Sequence, residues 1–303
     1  MAARLSIVVP VYNSAGTLPA LVERIDGALA DEHEVVLVND GSADSSWRVI
    51  EELASSRPHV RGLDLMRNYG QHNALLAGIR AARHPVVVTL DDDLQNPPEE
   101  IPKLLAKLDE GHDVVYGAAS ERQHGLLRSL ATRLSKWALR GVIGDDVAAN
   151  VSAYRAFRTQ LREAFADYEG PYVSIDVLLS WGTSRFTWVP VAHDARAEGR
   201  SSYSFARLAT HALNVLTGFS TRPLRVASIV GLVFTLFGAL IFVLVVVRYF
   251  VSGRVVPGFA FLASIIAIFS GVQLLTLGVM GEYLARMHMR IMDRPPYSVR
   301  DEV

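Results

Sequence analysis

Two long uncharged segments constrain this 303-residue chain more than any other feature of its sequence. Residues 226–247 contain no charged side chain, and a second uncharged stretch covers 255–281 after a short linker at 248–254. At about 1.5 Å per residue, a helix over the first segment spans roughly 33 Å, which is enough to cross a bilayer core of about 30 Å. A pair of buried helices in a soluble core is the alternative, but two such segments in tandem are rare in soluble folds. The sequence therefore predicts a transmembrane hairpin over 226–281, with spans at 226–247 and 258–280.

Basic residues beside the two spans predict how the hairpin is oriented. Six arginines flank the hairpin in sequence, namely Arg222, Arg225, Arg286, Arg290, Arg294 and Arg300, and only Arg248 and Arg254 lie in the linker. Because Lys and Arg accumulate on the cytoplasmic side of a membrane, we expect a multi-pass protein of the inner (plasma) membrane with both termini in the cytoplasm. The absence of cysteine agrees with a cytosolic location, and the net charge of −1 gives no field that would attract nucleic acid.

Before the hairpin, short apolar runs alternate with amphipathic segments. Strand-like runs occur at 6–11, 34–38, 61–65 and 86–90, and helical patterns fill roughly 16–30, 44–56, 70–83 and 98–110. This alternation predicts an α/β fold with a mostly parallel, Rossmann-like sheet and helices on both faces. We expect this domain to cover 1–200, a juxtamembrane segment to cover 201–225 and a cytoplasmic tail to cover 282–303. The juxtamembrane segment is either an amphipathic helix on the membrane or a core-packing helix.

Three adjacent carboxylates give the strongest chemical signal. Asp91, Asp92 and Asp93 follow the predicted strand at 86–90, and Gln95 comes shortly after them. Neighbouring carboxylates repel each other, and Mg²⁺ or Mn²⁺, which prefers hard oxygen ligands and often bridges to substrate phosphates, relieves that repulsion. We therefore predict a metal site formed by Asp91, Asp93 and the Gln95 carbonyl. The alternative is a solvated acidic turn that caps the next helix, and the position at a strand end favours the metal site.

Two further segments have polar patterns with open alternatives. Asp40 and Gly41 end another predicted strand, and such a turn binds ribose or base edges or else simply caps the next helix. The segment 122–144 contains five basic residues and no acidic one. Guanidinium groups match phosphate oxygens bidentately, so this segment is a candidate phosphate site. Its alternative is a basic helix face that is solvated or lies on anionic lipid.

Together these segments resemble family 2 glycosyltransferases of the polyprenyl-phosphate sugar synthase type, which have the GT-A fold. The matching segments in the first part of the chain are IVVPVYN at 7–13, VNDGS at 38–42, RNYGQ at 67–71, ALLAG at 74–78 and DDDLQ at 91–95. Later segments are similar to the dolichol-phosphate mannose synthase-like subgroup and its bacterial two-helix undecaprenyl-phosphate branch. They are HDAR at 193–196, GRSSY at 199–203, GEYLAR at 281–286 and RPPY at 294–297.

The resemblance implies an activity and a set of partners. The reaction is the inverting transfer of one sugar from a nucleotide-sugar, with a UDP-sugar favoured, to undecaprenyl or another polyprenyl phosphate for cell-envelope glycosylation. It requires Mg²⁺ or Mn²⁺, and the resemblance also implies a homo-oligomer, specifically a tetramer. A membrane polysaccharide synthase subunit is an alternative, but the chain lacks a Q-x-x-R-W motif, and two helices make a poor polymer channel. An inactive membrane scaffold is a second alternative, against which the intact Asp91, Asp93 and Gln95 argue.

The resemblance also implies roles for individual residues. Asp93 is the catalytic residue, and nucleotide binding falls to Pro10, Val11, Tyr12, Asn13, Asp40, Asp91 and Asp92. The acceptor phosphate would contact Arg122, Arg128, Thr132, Arg133, Arg155, Arg196 and Arg200. Two departures from the subgroup pattern occur: Ser202 replaces a lysine before Tyr203, and Ala153 replaces a glycine in a segment of longer spacing before Arg155.

Overall fold

The computed structural model describes residues 4–29, 32–119, 147, 149–170, 173–194, 222–252, 258–292 and 294–303. The chain divides into two compact units, one formed by Met1–Ala212 with Asp293–Val303 and the other by Leu213–Met292. Most of the proposed juxtamembrane segment 201–225 lies outside the described residues, so its bounds stay a prediction.

Strands and helices alternate in the first unit, in agreement with the sequence pattern. In its first part they are β1 (Leu5–Val11), α1 (Leu18–Ala28), β2 (His33–Asn39), α2 (Ser46–Ser56), β3 (Val60–Leu65), α3 (Gln71–Ala81), β4 (Val86–Thr89) and α4 (Ile101–Asp109). Between α4 and the juxtamembrane segment, where the sequence pattern predicted no element, the structure has β5 (Val114–Ala119), β6 (Arg155–Arg158), α5 (Ile175–Gly182) and β7 (Phe186–Val191). Short 3₁₀ helices cover Pro98–Glu100 and Thr159–Phe165.

These strands form one eight-stranded mixed sheet in the order β7-β5-β6-β4-β1-β2-β3-β8, where β8 is Val299–Glu302. The pairs β1–β2, β2–β3, β1–β4 and β5–β7 are parallel, whereas β6 and β8 pair with their neighbours in the antiparallel direction. The chain progresses to one side of β1 through β2 and β3, and it returns to the other side at β4. This reversal makes the gap between the ends of β1 and β4 the ligand-binding position of a doubly wound sheet.

Alternate residues of β1 face the two helical layers, because side chains of a strand point to opposite faces in turn. Leu5, Ile7 and Val9 belong to a buried cluster that includes apolar residues of α1, α2 and α4. On the opposite face α3 lies so close to the sheet that a Cβ on Gly78 would be 2.3 Å from Val8 Cγ1. Helices therefore cover both faces of the sheet, as predicted.

The second unit consists of the helices α6 (Arg222–Ser252) and α7 (Phe259–Ile291). Both are long and apolar enough to cross a membrane: Val226–Val247 has a mean hydropathy of 3.0, and Ile268–Ala285 has a mean hydropathy of 1.3. Neither segment is buried within the protein, and Phe234 and Phe269 meet edge to face at 5.6 Å. Length, composition and exposed apolar surface are what a transmembrane hairpin requires.

Beyond α7, the chain returns to the first unit and adds β8 to the edge of the sheet. β8 pairs antiparallel with β3, and Val303 exchanges two backbone hydrogen bonds with Gly62, of 2.8 and 3.0 Å. Arg300 forms an ion pair with the buried Asp64 at 3.2 Å. The segment 282–303 is therefore not simply the predicted tail, because its residues Val299–Glu302 are part of the sheet. Arg300, counted above among the residues that orient the hairpin, is likewise a side chain of the sheet.

Candidate active site

A cleft of about 350 Å³ lies at the carboxyl ends of β1, β2 and β4. Its walls come from the end of β1, from the loops after β2, β3 and β4, and from the first residue of α3. The lining residues are Pro10, Val11, Tyr12, Asp40, Asn68, Gly70, Gln71, Asp91, Asp92, Asp93 and Gln95. The structure thus brings together all the predicted nucleotide and metal residues except Asn13.

The loop after β4 presents its three carboxylates in different settings. Gln71 Nε2 donates a hydrogen bond to Asp91 Oδ1 at 2.6 Å, and Asp93 Oδ1 accepts one from the backbone N–H of Gln95 at 3.2 Å. Leu94 has a φ of +61°, a conformation that non-glycine residues adopt only where the surrounding structure enforces it. The loop is therefore held in a tight turn that brings Asp91, Asp93 and Gln95 to the same cleft.

Asp92 is used to hold the loop that follows β1. Its Oδ2 accepts a hydrogen bond from Tyr12 N at 3.1 Å, and its backbone carbonyl accepts one from Thr17 Oγ1 at 2.8 Å. Burial raises the pKa of Asp92, although hydrogen bonds from Ser14 and Tyr12 act in the opposite direction. Asp92 therefore joins the two loops that form opposite walls of the cleft.

Asp40 performs a similar task for the loop before α3. Its two carboxylate oxygens accept hydrogen bonds from Tyr69 N at 2.7 Å and Gly70 N at 2.8 Å. Burial raises the pKa of Asp40, and these two backbone donors lower it. With a relative exposure of 3%, Asp40 shapes the wall of the cleft more than it offers a surface to a ligand.

Asn13 is absent from the lining and connects two loops instead. Its backbone N–H donates to Ser42 Oγ at 3.0 Å, and its side-chain oxygen accepts from Ala43 N at 2.7 Å. A positive φ of 55° at Asn13 allows this turn. Asn13 consequently positions the β1 and β2 loops relative to each other.

The donor atoms around the acidic loop fit a divalent cation. Asp91 and Asp93 supply carboxylate oxygens and Gln95 supplies carbonyl oxygens to the same cleft, and oxygen donors of this kind suit Mg²⁺ or Mn²⁺. The Gln95 backbone carbonyl also accepts a hydrogen bond from Asp194 N at 2.9 Å, and its second lone pair remains for a cation.

The structure gives Arg155 a different place from the one predicted for it. Arg155 begins β6, its residue exposure is 2%, and its guanidinium forms an ion pair with the carboxylate of Asp176 on α5. Tyr116 on β5 donates a hydrogen bond to the same carboxylate at 3.0 Å. A guanidinium buried in this way is committed to an internal partner, so the assignment of Arg155 to the acceptor phosphate is corrected to a role in holding β6 and α5 together.

The remaining candidates for the acceptor phosphate lie outside the described residues. They are Arg122, Arg128, Thr132, Arg133, Arg196 and Arg200. The neighbouring Asp194 is described, and its carboxylate pairs with Arg24 at 3.2 Å. This ion pair connects the chain just before Arg196 to α1, and the hydrogen bond of Asp194 N to the Gln95 carbonyl connects it to the acidic loop.

Gln71 and Asn68 also line the cleft, although the sequence did not predict a site role for them. Both lie in the RNYGQ segment that contributed to the family resemblance. A polar side chain at the first position of a helix that follows a strand end was the available signal, since helix N-termini in doubly wound sheets face the ligand.

Comparison with known proteins agrees with this geometry. The model of the family described as Glycosyl transferase family 2 matches residues 6–165. The undecaprenyl-phosphate 4-deoxy-4-formamido-L-arabinose transferase of Proteus mirabilis (strain HI4320) is 36% identical over 306 residues, which cover 99% of this chain and 94% of that protein. The transferase of the same name from Shewanella sediminis (strain HAW-EB3) is 37% identical over 98% of this chain and 92% of its own length.

A solved structure has a similar fold. Glucosyl-3-phosphoglycerate synthase from Mycobacterium tuberculosis, in complex with Mn²⁺, UDP-glucose and phosphoglyceric acid, superposes with a TM-score of 0.55. The likeness covers 71% of this chain and 79% of that chain at 18% identity. With the family model covering more than half of the chain and relatives aligned over almost all of it, the chain belongs to glycosyl transferase family 2 and is a glycosyltransferase.

Proposed function

We propose that this chain transfers a single sugar from a UDP-sugar to the phosphate of undecaprenyl phosphate or another polyprenyl phosphate, with inversion at the anomeric carbon. The observation that carries the proposal is the cleft between β1 and β4, where Asp91, Asp93 and Gln95 meet the loops held by Asp40 and Asp92. The near full-length likeness to transferases named for undecaprenyl phosphate supports the acceptor class.

The donor side of the cleft has parts for a base and for a diphosphate. Tyr12 is 52% exposed at the rim and offers an aromatic face for stacking on a base. We assign the diphosphate to the acidic loop, where Asp91, Asp93 and Gln95 would hold Mg²⁺ or Mn²⁺. When bound, such a cation supplies positive charge next to the leaving diphosphate.

The acceptor needs positioning more than it needs a base. The second ionisation of a phosphate monoester lies near pH ~6, so a lipid phosphate is already largely ionised at neutral pH. A single displacement by its oxygen inverts the anomeric centre. We propose that Arg122, Arg128, Thr132, Arg133, Arg196 and Arg200 contribute to holding it, because guanidinium forks bind phosphate oxygens bidentately.

The relatives suggest which sugar to examine first. Their printed names specify 4-deoxy-4-formamido-L-arabinose, and we propose the UDP derivative of this sugar as the first donor candidate. In the mycobacterial synthase the bound donor is UDP-glucose with Mn²⁺, which supports including hexoses in the same comparison.

Mass spectrometry of the lipid product tests the proposal. The purified full-length chain is incubated with undecaprenyl phosphate, Mg²⁺ or Mn²⁺ and a panel of UDP-sugars, with Asp93→Asn as the inactive control. We expect one sugar per lipid phosphate with one donor and no product from the variant. A growing polymer would favour a polysaccharide synthase, and the absence of both transfer and donor hydrolysis with every donor would favour a scaffold.

A further inference from the structure

Far from the cleft, a cluster of three side chains lies near the amino ends of β2 and β3. It consists of Asp26, His33 and His59. Asp26 lies in the last turn of α1, His33 is the first residue of β2, and His59 immediately precedes β3. The active-site loops lie at the other ends of these strands. The seven residues of β2 span roughly 20 Å at about 3.3 Å per residue, so the cluster and the cleft are separate sites.

The geometry of the cluster is close to that of a metal site. Asp26 Oδ1 lies 3.1 Å from His33 Nε2 and 2.8 Å from His59 Nε2, and the ligand atoms of all three residues lie within 4.8 Å of one another. In a tetrahedral zinc site with bonds of about 2.0–2.1 Å, neighbouring ligand atoms are about 3.3 Å apart. Small outward movements of the side chains would therefore make room for an ion between them.

The surrounding structure holds these side chains near each other. The carbonyl of His59 accepts a hydrogen bond from Val35 N at 2.8 Å, which fixes its backbone against β2. Arg57 Nε lies 3.4 Å from Asp26 Oδ2, so the other oxygen of this carboxylate faces the two imidazoles. The side-chain exposures of 11% for His33, 30% for Asp26 and 32% for His59 leave water access for a fourth ligand.

We propose that Asp26, His33 and His59 bind one Zn²⁺ or a chemically similar transition-metal ion, with water completing the coordination. Two imidazole nitrogens and one carboxylate oxygen suit Zn²⁺, whereas the all-oxygen donors of the cleft suit Mg²⁺ or Mn²⁺. The ion would cross-link the end of α1 to the starts of β2 and β3 and stabilise this part of the fold. The proposal does not depend on the sugar or the acceptor.

Zinc binding by the full-length protein in detergent tests the proposal. The protein is stripped with a chelator, dialysed against Zn²⁺ in excess Mg²⁺, and its bound zinc is counted by mass spectrometry. We expect one zinc per chain in the wild type and in Asp93→Asn. His59→Ala and His33→Ala should each raise the Kd for Zn²⁺ by about 10-fold or more, since each removes a ligand. His112→Ala removes a histidine outside the cluster and should bind like the wild type.

Two measurements on the same samples keep the test decisive if a variant folds poorly. At a Zn²⁺ concentration about 100 times the Kd, the wild type and His112→Ala should melt roughly 5 °C higher than the stripped protein, and His59→Ala should not. Co²⁺ substituted into the wild type should show the visible absorption of a four-coordinate ion. A wild type that binds no zinc in excess Mg²⁺, a six-coordinate Co²⁺ spectrum, or zinc retained by both histidine variants would overturn the proposal.

Discussion

Asp91, Asp92 and Asp93 are neighbours in sequence but have different surroundings. Asp92 accepts a hydrogen bond from Tyr12 N and so holds the β1 loop. Asp91 instead accepts one from the Gln71 side chain, and Asp93 accepts one from Gln95 N. The tight turn around Leu94 directs these consecutive side chains to different partners, which accounts for this division. The turn therefore separates a structural carboxylate from two proposed metal ligands.

The two roles predict different consequences for asparagine substitutions. Asp93→Asn should lower kcat by about 100-fold or more, because it removes charge that acts on the developing leaving group, and the melting temperature should stay unchanged. Asp92→Asn keeps one oxygen acceptor for Tyr12 N and should lose far less activity. Kinetics with varied Mn²⁺ measure both variants. Equal losses at the two positions, or full activity in EDTA, would contradict the metal assignment.

Gly41 is a position where only glycine fits. Its φ is +65°, and a Cβ there would lie 2.5 Å from the backbone of both Arg67 and Asn68. We expect Gly41→Ala to lower the free energy of unfolding by about 1–3 kcal/mol and to raise the KM for the donor, since Asn68 lines the cleft. Gly16→Ala is the matched control, because a Cβ at Gly16 meets nothing within 4 Å. Thermal melts and donor kinetics compare the two, and unaltered donor binding in Gly41→Ala would contradict the role of this contact.

Arg128 tests the proposed acceptor site directly. If its guanidinium binds the lipid phosphate, Arg128→Ala loses charge-assisted hydrogen bonds of about 1.5–3 kcal/mol each. The KM for lipid should then rise, or turnover should fall, by about 10-fold or more, with donor binding nearly unchanged. Arg128→Lys should restore only part of the activity, because an ammonium lacks the fork. A solvated basic face predicts no effect from either change, and a loss of donor affinity would place Arg128 at the donor site.

Much of the cleft could be predicted from sequence because its residues stand at the ends of clear strand patterns. Asp40 and Asp91–Asp93 follow short apolar runs whose length and alternation with helical patterns favour buried strands, and the parallel arrangement brings their ends together. The partners of these residues were not predictable, since the bonds of Asp92 to Tyr12 and of Asp91 to Gln71 join positions far apart in sequence. Arg155 was misassigned for the same reason, because its partner Asp176 lies on a separate helix.

Among the elements, β8 was the least expected. Its sequence VRDE carries no apolar alternation, and its partner β3 is more than two hundred residues away in the chain. Local pattern cannot identify a short, charged edge strand whose stability comes from an existing sheet. Charged residues also suit a strand at the open edge of a sheet, where they discourage association with other chains.

The ion pair of β8 with the sheet predicts a measurable contribution to stability. Arg300→Ala leaves the buried Asp64 without its cation, with Asn39 Nδ2 at 2.6 Å as a remaining donor. We expect a loss of about 1–2 kcal/mol and a higher KM for the donor, because the Asn39 side chain also accepts a bond from Ser42 N at 3.3 Å beside the cleft. Deletion of residues 298–303 should lower the free energy of unfolding by more than Arg300→Ala does.

Arg4→Ala provides the comparison for this experiment. Arg4 pairs with Glu32 at the surface, where both side chains are more than 60% exposed, so its removal should change stability by less than about 0.5 kcal/mol. Denaturant unfolding of Arg300→Ala, the deletion of 298–303 and Arg4→Ala ranks the three by their loss of unfolding free energy. If Arg300→Ala behaves like Arg4→Ala, then Asp64 does not depend on β8 for its charge partner.

For the whole molecule, the orientation of the hairpin is a prediction that one labelling experiment can check. The chain has no cysteine, so Ser252→Cys at the end of α6 introduces a unique thiol. We expect an impermeant thiol reagent to label it from outside intact cells, because the linker at 248–254 carries fewer basic residues than the flanks. A cysteine at Ser298 serves as the cytoplasmic control. If residue 252 is labelled only after lysis, the linker faces the cytoplasm and the predicted orientation is wrong.

The position of β8 also sets the order in which the sheet can be completed during synthesis. The ribosome makes β1 to β7 first and the two long apolar helices next, and β8 emerges only after them. Throughout that interval β3 and the residue after it lack the hydrogen bonds that Gly62 and Met66 later form with Val303 and Ser298. Until its two long helices have been made, a nascent chain therefore has a β3 edge that can pair with strands of other chains. A product that ends before β8 keeps this unpaired edge.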